Sequence, residues 1–89
     1  MAFNSSAGPQ TAANLDALAL GVEARVDGFD ALDADLAAWL RAVGIAEGSR
    51  VTVLRRAVFG GPLHVRVSTG GEFALHRSLA RAIRVGGGS

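Results

Sequence analysis

Two histidines, His64 and His76, are the residues of this 89-residue chain best suited to chemistry, and no cysteine accompanies them. Two imidazoles on neighbouring strands could share a borderline divalent ion such as iron, nickel or zinc. Protein metal sites normally use more than two neutral ligands, however, and no carboxylate is assured nearby. We therefore favour a solvated pair. His64 and His76 stay as weak metal candidates, and we expect no cofactor beyond weak binding of Fe²⁺ or another divalent ion.

The other polar residues do not form a catalytic set. Ser78 lies two residues from His76, and that spacing on a strand-to-helix join does not supply a nucleophile, a base and an orienting acid together. The glycine pairs at 60–61 and 70–71 are not followed by a lysine, and the chain has no lysine at all, which excludes a phosphate-binding P-loop. We therefore predict no catalytic residues and a protein that is not an enzyme.

Four aspartates crowd residues 27–35. A calcium-binding loop needs a defined order of oxygen ligands, a glycine at the turn and a late bidentate acid, and this segment lacks that pattern. Asp33 instead suits the N-cap of a helix, where its carboxylate would accept a backbone N–H. We expect the other three aspartates to be solvated.

Charge is distributed unevenly along the chain. Residues 1–47 hold seven acids against two arginines, a net charge of −5, whereas residues 48–89 hold seven arginines against one acid, a net charge of +6. Proteins that bind single-stranded nucleic acid stack bases on exposed aromatic rings, and the basic half offers only Phe59 and Phe73, the latter assigned to the core. A basic surface that meets an acidic protein is more ordinary, so we predict no nucleic-acid partner.

One helix is predicted over residues 33–43. Asp33 is the expected N-cap, apolar residues including Leu36 and Leu40 recur at helical spacing, and Gly44 stands where a left-handed C-cap residue belongs. Upstream, Asn14 is expected to cap a short helical turn. Residues 22–26 alternate as a strand with Val22, Ala24 and Val26 on one face, and a turn is expected at Asp27–Gly28.

The spacing of apolar residues changes from about four to two after this helix, which predicts strands. We expect strands over 50–57, 63–68 and 72–77, and a short helical turn capped by Ser78 before a last segment ending at Val85. A three-residue turn at 69–71 would pair Val65 with Leu75, Val67 with Phe73 and His64 with His76, with a glycine taking the positive φ.

These elements predict a mainly β protein, a small barrel of about five strands with one main helix and short helical turns. The folded domain is expected at 15–85, between flexible tails at 1–14 and 86–89. No apolar stretch approaches the roughly 20 residues of a membrane-spanning helix, so we do not expect insertion into a membrane.

The run from Leu15 to Val85 resembles the FeoA family, the small ferrous iron transport protein A. The matching segments are LDALALGVEARV, LRAVGIAEGSRVTVLRRAVFGGPLHVRV and FALHRSLARAIRV. The resemblance covers about 70 residues and implies an SH3-like barrel in the cytoplasm of a bacterium. It also implies contact with FeoB, the membrane GTPase transporter of ferrous iron uptake. The alternative is a metal-responsive regulatory domain of the kind found in iron-dependent repressors, and exposed barrel edges leave homo-oligomers open.

Trp39 and Phe59 are the candidate anchors of a partner-binding surface, together with Arg55 and Arg56. Either the two aromatic rings fold over the barrel ends or they form an exposed apolar patch, and aromatic anchors of this kind dominate interfaces. If they are exposed, replacing Trp39 or Phe59 with alanine should weaken partner binding more than folding.

Overall fold

The computed structural model of the chain describes residues 14–86. It contains a 3₁₀ helix at Leu15–Ala17, two α-helices, α1 at Ala34–Ala42 and α2 at Arg77–Arg81, and five strands. The strands are β1 at Glu23–Phe29, β2 at Arg50–Arg56, β3 at Leu63–Val67, β4 at Glu72–Leu75 and β5 at Ile83–Val85. None of the helices within 14–86 is long and apolar enough to cross a membrane.

The strands form one antiparallel sheet in the order β4-β3-β2-β1-β5. β1 serves two partners, because its first half pairs with β2 and its second half, after a register shift between Val26 and Gly28, pairs with β5. The two edge strands, β4 and β5, do not pair with each other, so the sheet is not closed into a complete barrel. Five strands and one main helix confirm the predicted mainly β class.

The core is built by the period-two alternation of the strands, as the sequence predicts. Val51 and Val53 of β2 and the three apolar residues of β3 point inward and are almost completely buried. Helix α1 contributes Leu40, and the loop after it contributes Ile45, both fully buried. Burying one such side chain stabilises the fold by about 1.5–3 kcal/mol.

Both predicted caps of the first two helical elements are confirmed. The carboxylate of Asp33 accepts the N–H of Leu36 at 3.0 Å, and the side chain of Asn14 accepts the N–H of Ala17 at 3.1 Å. Gly44 follows α1 with a φ of +104°, where a side chain would be strained. A Cβ there would also lie 3.0 Å from the Thr69 hydroxyl, so α1 ends against the β3–β4 turn.

The predicted turn at Asp27–Gly28 is wrong, because β1 continues through both residues to Phe29. The register shift at this point supplies the bend that the glycine suggested, without ending the strand. The prediction that Val22, Ala24 and Val26 share one face of this strand is also wrong at one position. Ala24 and Val26 are buried, but Val22 precedes the strand and is 41% exposed.

The predicted β3–β4 register is wrong by two residues. Val65 lies opposite Phe73 and His64 opposite Ala74, so His64 and His76 are not cross-strand partners. The turn keeps the predicted three residues and its glycine with a positive φ, Gly70 at +109°, but it lies at 68–70, since the Val67 N–H donates to the Gly71 carbonyl at 2.9 Å. A shift of two residues leaves every side chain on its predicted face, so alternation alone could not reveal it.

The last helix has a different cap from the predicted Ser78. His76 is the N-cap, and its imidazole accepts the Ser78 N–H at 3.3 Å and contacts the Ser78 hydroxyl at 2.9 Å. The predicted tails lie almost wholly outside the described residues, apart from Asn14 and Gly86. The Gly86 N–H donates to the Arg25 carbonyl at 2.7 Å.

Candidate partner-binding surface

The loop between β2 and β3 carries the most exposed aromatic ring of the described residues. Phe59 is fully exposed, at 101%, and its neighbour Val58 is 73% exposed. The backbone of Phe59 is left-handed, with a φ of +59°. A left-handed conformation costs a non-glycine residue about 1–3 kcal/mol. Folding therefore gains nothing from burial of this ring and loses some stability through its backbone.

A second apolar segment, Leu20–Val22, runs beside the second half of β2. The Gly21 N–H donates to the Val53 carbonyl at 2.9 Å, and the Leu18 carbonyl accepts a hydrogen bond from the Arg56 guanidinium. Leu20 and Val22 are exposed. Four of the five exposed large hydrophobic side chains within 14–86 therefore lie beside the second half of β2 or in the loop that follows it. We call this set the apolar end: Leu20, Val22, Val58 and Phe59.

Arg55 lies on β2 next to the apolar end. A bulge after Val53 places Arg55 opposite His64 on the solvent face of the sheet. Its side chain is exposed, and in the described part of the chain it is the one arginine without an ion-pair partner. A free cation therefore borders the apolar end.

Arg56, the next residue, points to the inner side and holds the N-terminal segment. Its guanidinium donates to the Asp16 carbonyl at 2.7 Å and to the carbonyl of Leu18, and lies 3.4 Å from the Asp16 carboxylate. Arg77 and Arg81 of α2 reach the same carboxylate at 3.0 and 3.3 Å. We call these four residues the Asp16 cluster: Asp16, Arg56, Arg77 and Arg81.

The Asp16 cluster changes the acidity of its carboxyl group. Partial burial by itself would raise the pKa of Asp16, but hydrogen bonds and positive charge from Arg77 and Arg81 outweigh it and lower that pKa. The side chain is only 12% exposed, so solvent screens these contacts less than those of a surface ion pair. The cluster ties the 3₁₀ helix to β2 and α2.

Trp39 lies in the last turn of α1 and is 46% exposed. Gly44, just after α1, packs against Val67 and Thr69 at the C-terminal end of β3, whereas Phe59 precedes the N-terminal end of β3. The two predicted aromatic anchors therefore lie at opposite ends of the β2–β3 hairpin. Exposure of both rings agrees with the patch alternative, but they belong to two surfaces.

The histidines are not brought together into a ligand set. His64 Nε2 lies 3.0 Å from a Glu72 carboxylate oxygen, and this hydrogen bond, followed by the charge of Arg66, lowers the pKa of Glu72 against a smaller effect of burial. His76 instead caps α2. Across residues 14–86 no group of three or more histidine, cysteine, aspartate or glutamate side chains is placed to hold a metal ion.

Sequence reasoning missed the Asp16 cluster and three of the four members of the apolar end. Asp16 is 61 residues from Arg77 along the chain, so no local pattern connects them. The sequence around Leu20 and Val22 did contain an indication of an exposed apolar segment, since these two large apolar residues flank a glycine just before a strand. Val58 stands directly before Phe59, and an apolar pair in a glycine-rich loop is a further indication of an exposed surface.

Comparison with known proteins identifies the family. The sequence model of the FeoA domain matches residues 13–86, almost the whole of the described chain. The chain belongs to the FeoA family. FeoA membership confirms the resemblance found in the sequence and suggests a role in ferrous iron transport. A search of curated proteins found no significant match.

Solved structures agree with this assignment. FeoA from Stenotrophomonas maltophilia, solved in complex with zinc and described as a prokaryotic SH3 domain protein, is 32% identical. The match has a TM-score of 0.70 and covers 83% of this chain and 89% of that one. FeoA from Chlorobium tepidum is 27% identical with a TM-score of 0.74, covering 82% of this chain and 68% of that chain. The predicted SH3-like fold is therefore confirmed.

A repressor shares the same domain. A manganese-dependent transcriptional repressor, solved with manganese, is 28% identical with a TM-score of 0.73. The match covers 88% of this chain but only 37% of the repressor. The FeoA-like chain thus corresponds to a part of that larger protein.

Proposed function

We propose that this FeoA-family chain is a non-enzymatic accessory protein of bacterial ferrous iron uptake, which acts in the cytoplasm by binding the FeoB-type membrane GTPase transporter. The FeoA domain match over residues 13–86 carries the proposal. The Stenotrophomonas maltophilia relative supports it, since that FeoA is described as a candidate activating factor of bacterial ferrous iron transport.

The geometry favours binding over chemistry. Apolar side chains that folding leaves in solvent, among them Phe59 and Trp39, are the usual anchors of protein interfaces. Arg55 adds a free cation that could pair with an acid on the partner. Arg56 is not carried into the contact, because its guanidinium is bonded inside the Asp16 cluster. A bound accessory protein alters the transporter only if it prefers one of its conformations over another.

The regulatory alternative has less support. A metal-responsive switch needs a direct ligand set, and residues 14–86 hold no cluster of three metal-binding side chains. The repressor that this chain resembles is matched over only 37% of its length. We therefore propose no metal-dependent regulation.

The proposal is tested with the intact chain and the FeoB-type transporter of the same organism in lipid nanodiscs. Biolayer interferometry is recorded with GTP or GDP present, and empty nanodiscs report binding to lipid. We expect saturable binding to the transporter discs alone, with an affinity that differs between the two nucleotides. No binding up to about 1 mM chain, equivalent to a free energy no better than about −4 kcal/mol, would overturn the proposal.

A further inference from the structure

The β2–β3 loop is closed by two of its own hydrogen bonds. The Ala57 N–H donates to the Pro62 carbonyl at 3.0 Å, and the Gly61 N–H donates to the Val58 carbonyl at 3.2 Å. Gly61 is needed for this closure, because a Cβ there would lie 2.6 Å from the Cβ of Ala57. Phe59 is thus held outward before any partner arrives, which reduces the ordering cost of binding.

The apolar end places four large exposed side chains along the second half of one strand and the loop after it. Leu20 and Val22 belong to the segment that accompanies β2, and Val58 and Phe59 belong to the loop that follows β2. Exposed apolar residues scattered singly need no explanation, but grouped ones mark interaction sites. Trp39 at the other end is accompanied on α1 by exposed alanines, which offer little area to a partner.

Charge indicates the chemistry of the partner. Within 14–86 eight of the nine arginines lie within ion-pair distance of a carboxylate, three of them sharing Asp16, and the one that has no such partner, Arg55, borders the apolar end. A partner that covers Arg55 must replace the water around its guanidinium, and an acidic side chain does so best. Nucleic acid fits poorly, since one ring among aliphatic side chains offers no series of stacking platforms.

We propose that the apolar end and Arg55 form the surface through which the chain binds its protein partner, and that the partner presents an apolar pocket for Phe59 with a carboxylate at its rim. This inference rests on the proposed function, because the transporter is the partner that tests it. The surface around Trp39 lies at the opposite end of the hairpin and is not the anchor of this contact.

The test measures the affinity of single variants for transporter nanodiscs. Phe59→Ser and Val58→Ser should each weaken binding at least about 10-fold, because anchors in desolvated pockets dominate interface energetics. Trp39→Ser serves as the aromatic comparison and should change the affinity less than about 3-fold. Urea unfolding of each variant checks the fold, and Val58→Ser keeps the test valid if Phe59→Ser does not fold.

Charge is tested by a matched pair of reversals. Arg55→Glu and Arg25→Glu change the net charge equally, and both side chains are exposed on strands. Arg55→Glu should slow association and weaken binding about 10-fold or more, with a smaller loss at high salt, whereas Arg25→Glu should have little effect.

The outcomes separate the two proposals. If the wild-type chain does not bind transporter nanodiscs, the proposed function fails and this inference fails with it. If the wild-type chain binds but Phe59→Ser and Val58→Ser bind equally well, only the surface assignment is overturned. Equal binding of the wild-type chain to empty and loaded nanodiscs would identify lipid as the occupant and would also overturn the inference.

Discussion

Arg55 and Arg56 are neighbours in sequence but have opposite roles in the structure. Arg55 is exposed, lies opposite His64 and has no carboxylate within ion-pair distance in the described residues. Arg56 is half-buried and donates to two backbone carbonyls and approaches the carboxylate of Asp16. Neighbouring strand residues point to opposite faces of the sheet, and the bulge after Val53 decides that Arg55 faces solvent and Arg56 faces inward.

The difference shows how one short stretch can serve both folding and binding. In the Asp16 cluster, the Asp16 carboxylate and the backbone carbonyls of Asp16 and Leu18 all accept hydrogen bonds from arginines. These bonds hold the segment before β1 in place. In the apolar end, by contrast, the hydrophobic side chains are exposed to solvent and the backbone of Phe59 is strained. The neighbouring Arg55 has no ion-pair partner among the described residues. Stability should therefore depend on the first region and partner binding on the second.

Replacing Arg55 or Arg56 with alanine should give the largest difference in the free energy of unfolding. Arg56→Ala leaves the carbonyls of Asp16 and Leu18 without a donor and removes one cation from Asp16, so the free energy of unfolding should fall by about 2–3 kcal/mol. Arg55→Ala should change it by less than about 0.5 kcal/mol. Urea unfolding monitored by Trp39 fluorescence measures both. Similar losses for the two variants would show that Arg56 contributes no more than a surface charge.

The pH dependence of Asp16→Asn sharpens the same comparison. At pH 7 the variant should lose about 1–2 kcal/mol of stability, since the partners Arg77 and Arg81 are partly screened by solvent. The pKa of Asp16 is lower in the folded state than its unfolded value of about 3.9, so its contribution is complete above that pH. It is lost as the pH falls through the folded pKa.

The stability difference between wild type and Asp16→Asn should therefore narrow below about pH 4. Glu47, whose pKa is lowered to about 2 chiefly by its hydrogen bond with Arg41, titrates in both proteins and cancels in the difference. Denaturation curves from pH 7 to pH 2.5 provide the measurement. A difference that stays constant over this range would assign the effect to the amide substitution rather than to charge.

Much of the fold could be predicted from local patterns. Alternation located β2, β3 and β4, and Asp33 with Gly44 bounded α1, because capping and period are properties of a few adjacent residues. The β3–β4 register and the path of β1 beyond Val26 could not be predicted. Both depend on where the backbone turns or shifts by one or two residues. Such a shift leaves the alternation of apolar residues in the sequence almost unchanged, so the sequence does not reveal it.

The candidate site was predictable in parts. Phe59 stood out as an aromatic residue beside two glycines, and its exposure follows from that position. Which of Arg55 and Arg56 faces solvent was not predictable, because the bulge in β2 decides it. The unequal charge of the two halves is partly offset by folding, since three acids before residue 48 (Asp16, Glu23 and Asp30) form ion pairs with five arginines after it.

The smallest expected effect concerns the backbone of the apolar end. Phe59→Asn should stabilise the chain by about 0.5–1 kcal/mol, because asparagine tolerates the left-handed conformation better than phenylalanine and no buried area is lost. The same variant should bind transporter nanodiscs at least about 10-fold more weakly. A gain in stability together with a loss of binding is expected if Phe59 contributes to partner binding at a cost in stability.

Ala31 provides the matched control for this prediction. It is the other non-glycine residue within 14–86 with a positive φ, +49°, and it lies just after β1, away from the apolar end. Ala31→Asn should stabilise the chain by a comparable amount, yet leave the affinity for the transporter unchanged. Thermal unfolding and biolayer interferometry on both variants test this pairing. If Phe59→Asn lowered stability while Ala31→Asn raised it, the phenylalanine ring would be contributing to folding. Its exposure could then no longer be taken as evidence for a partner-binding surface.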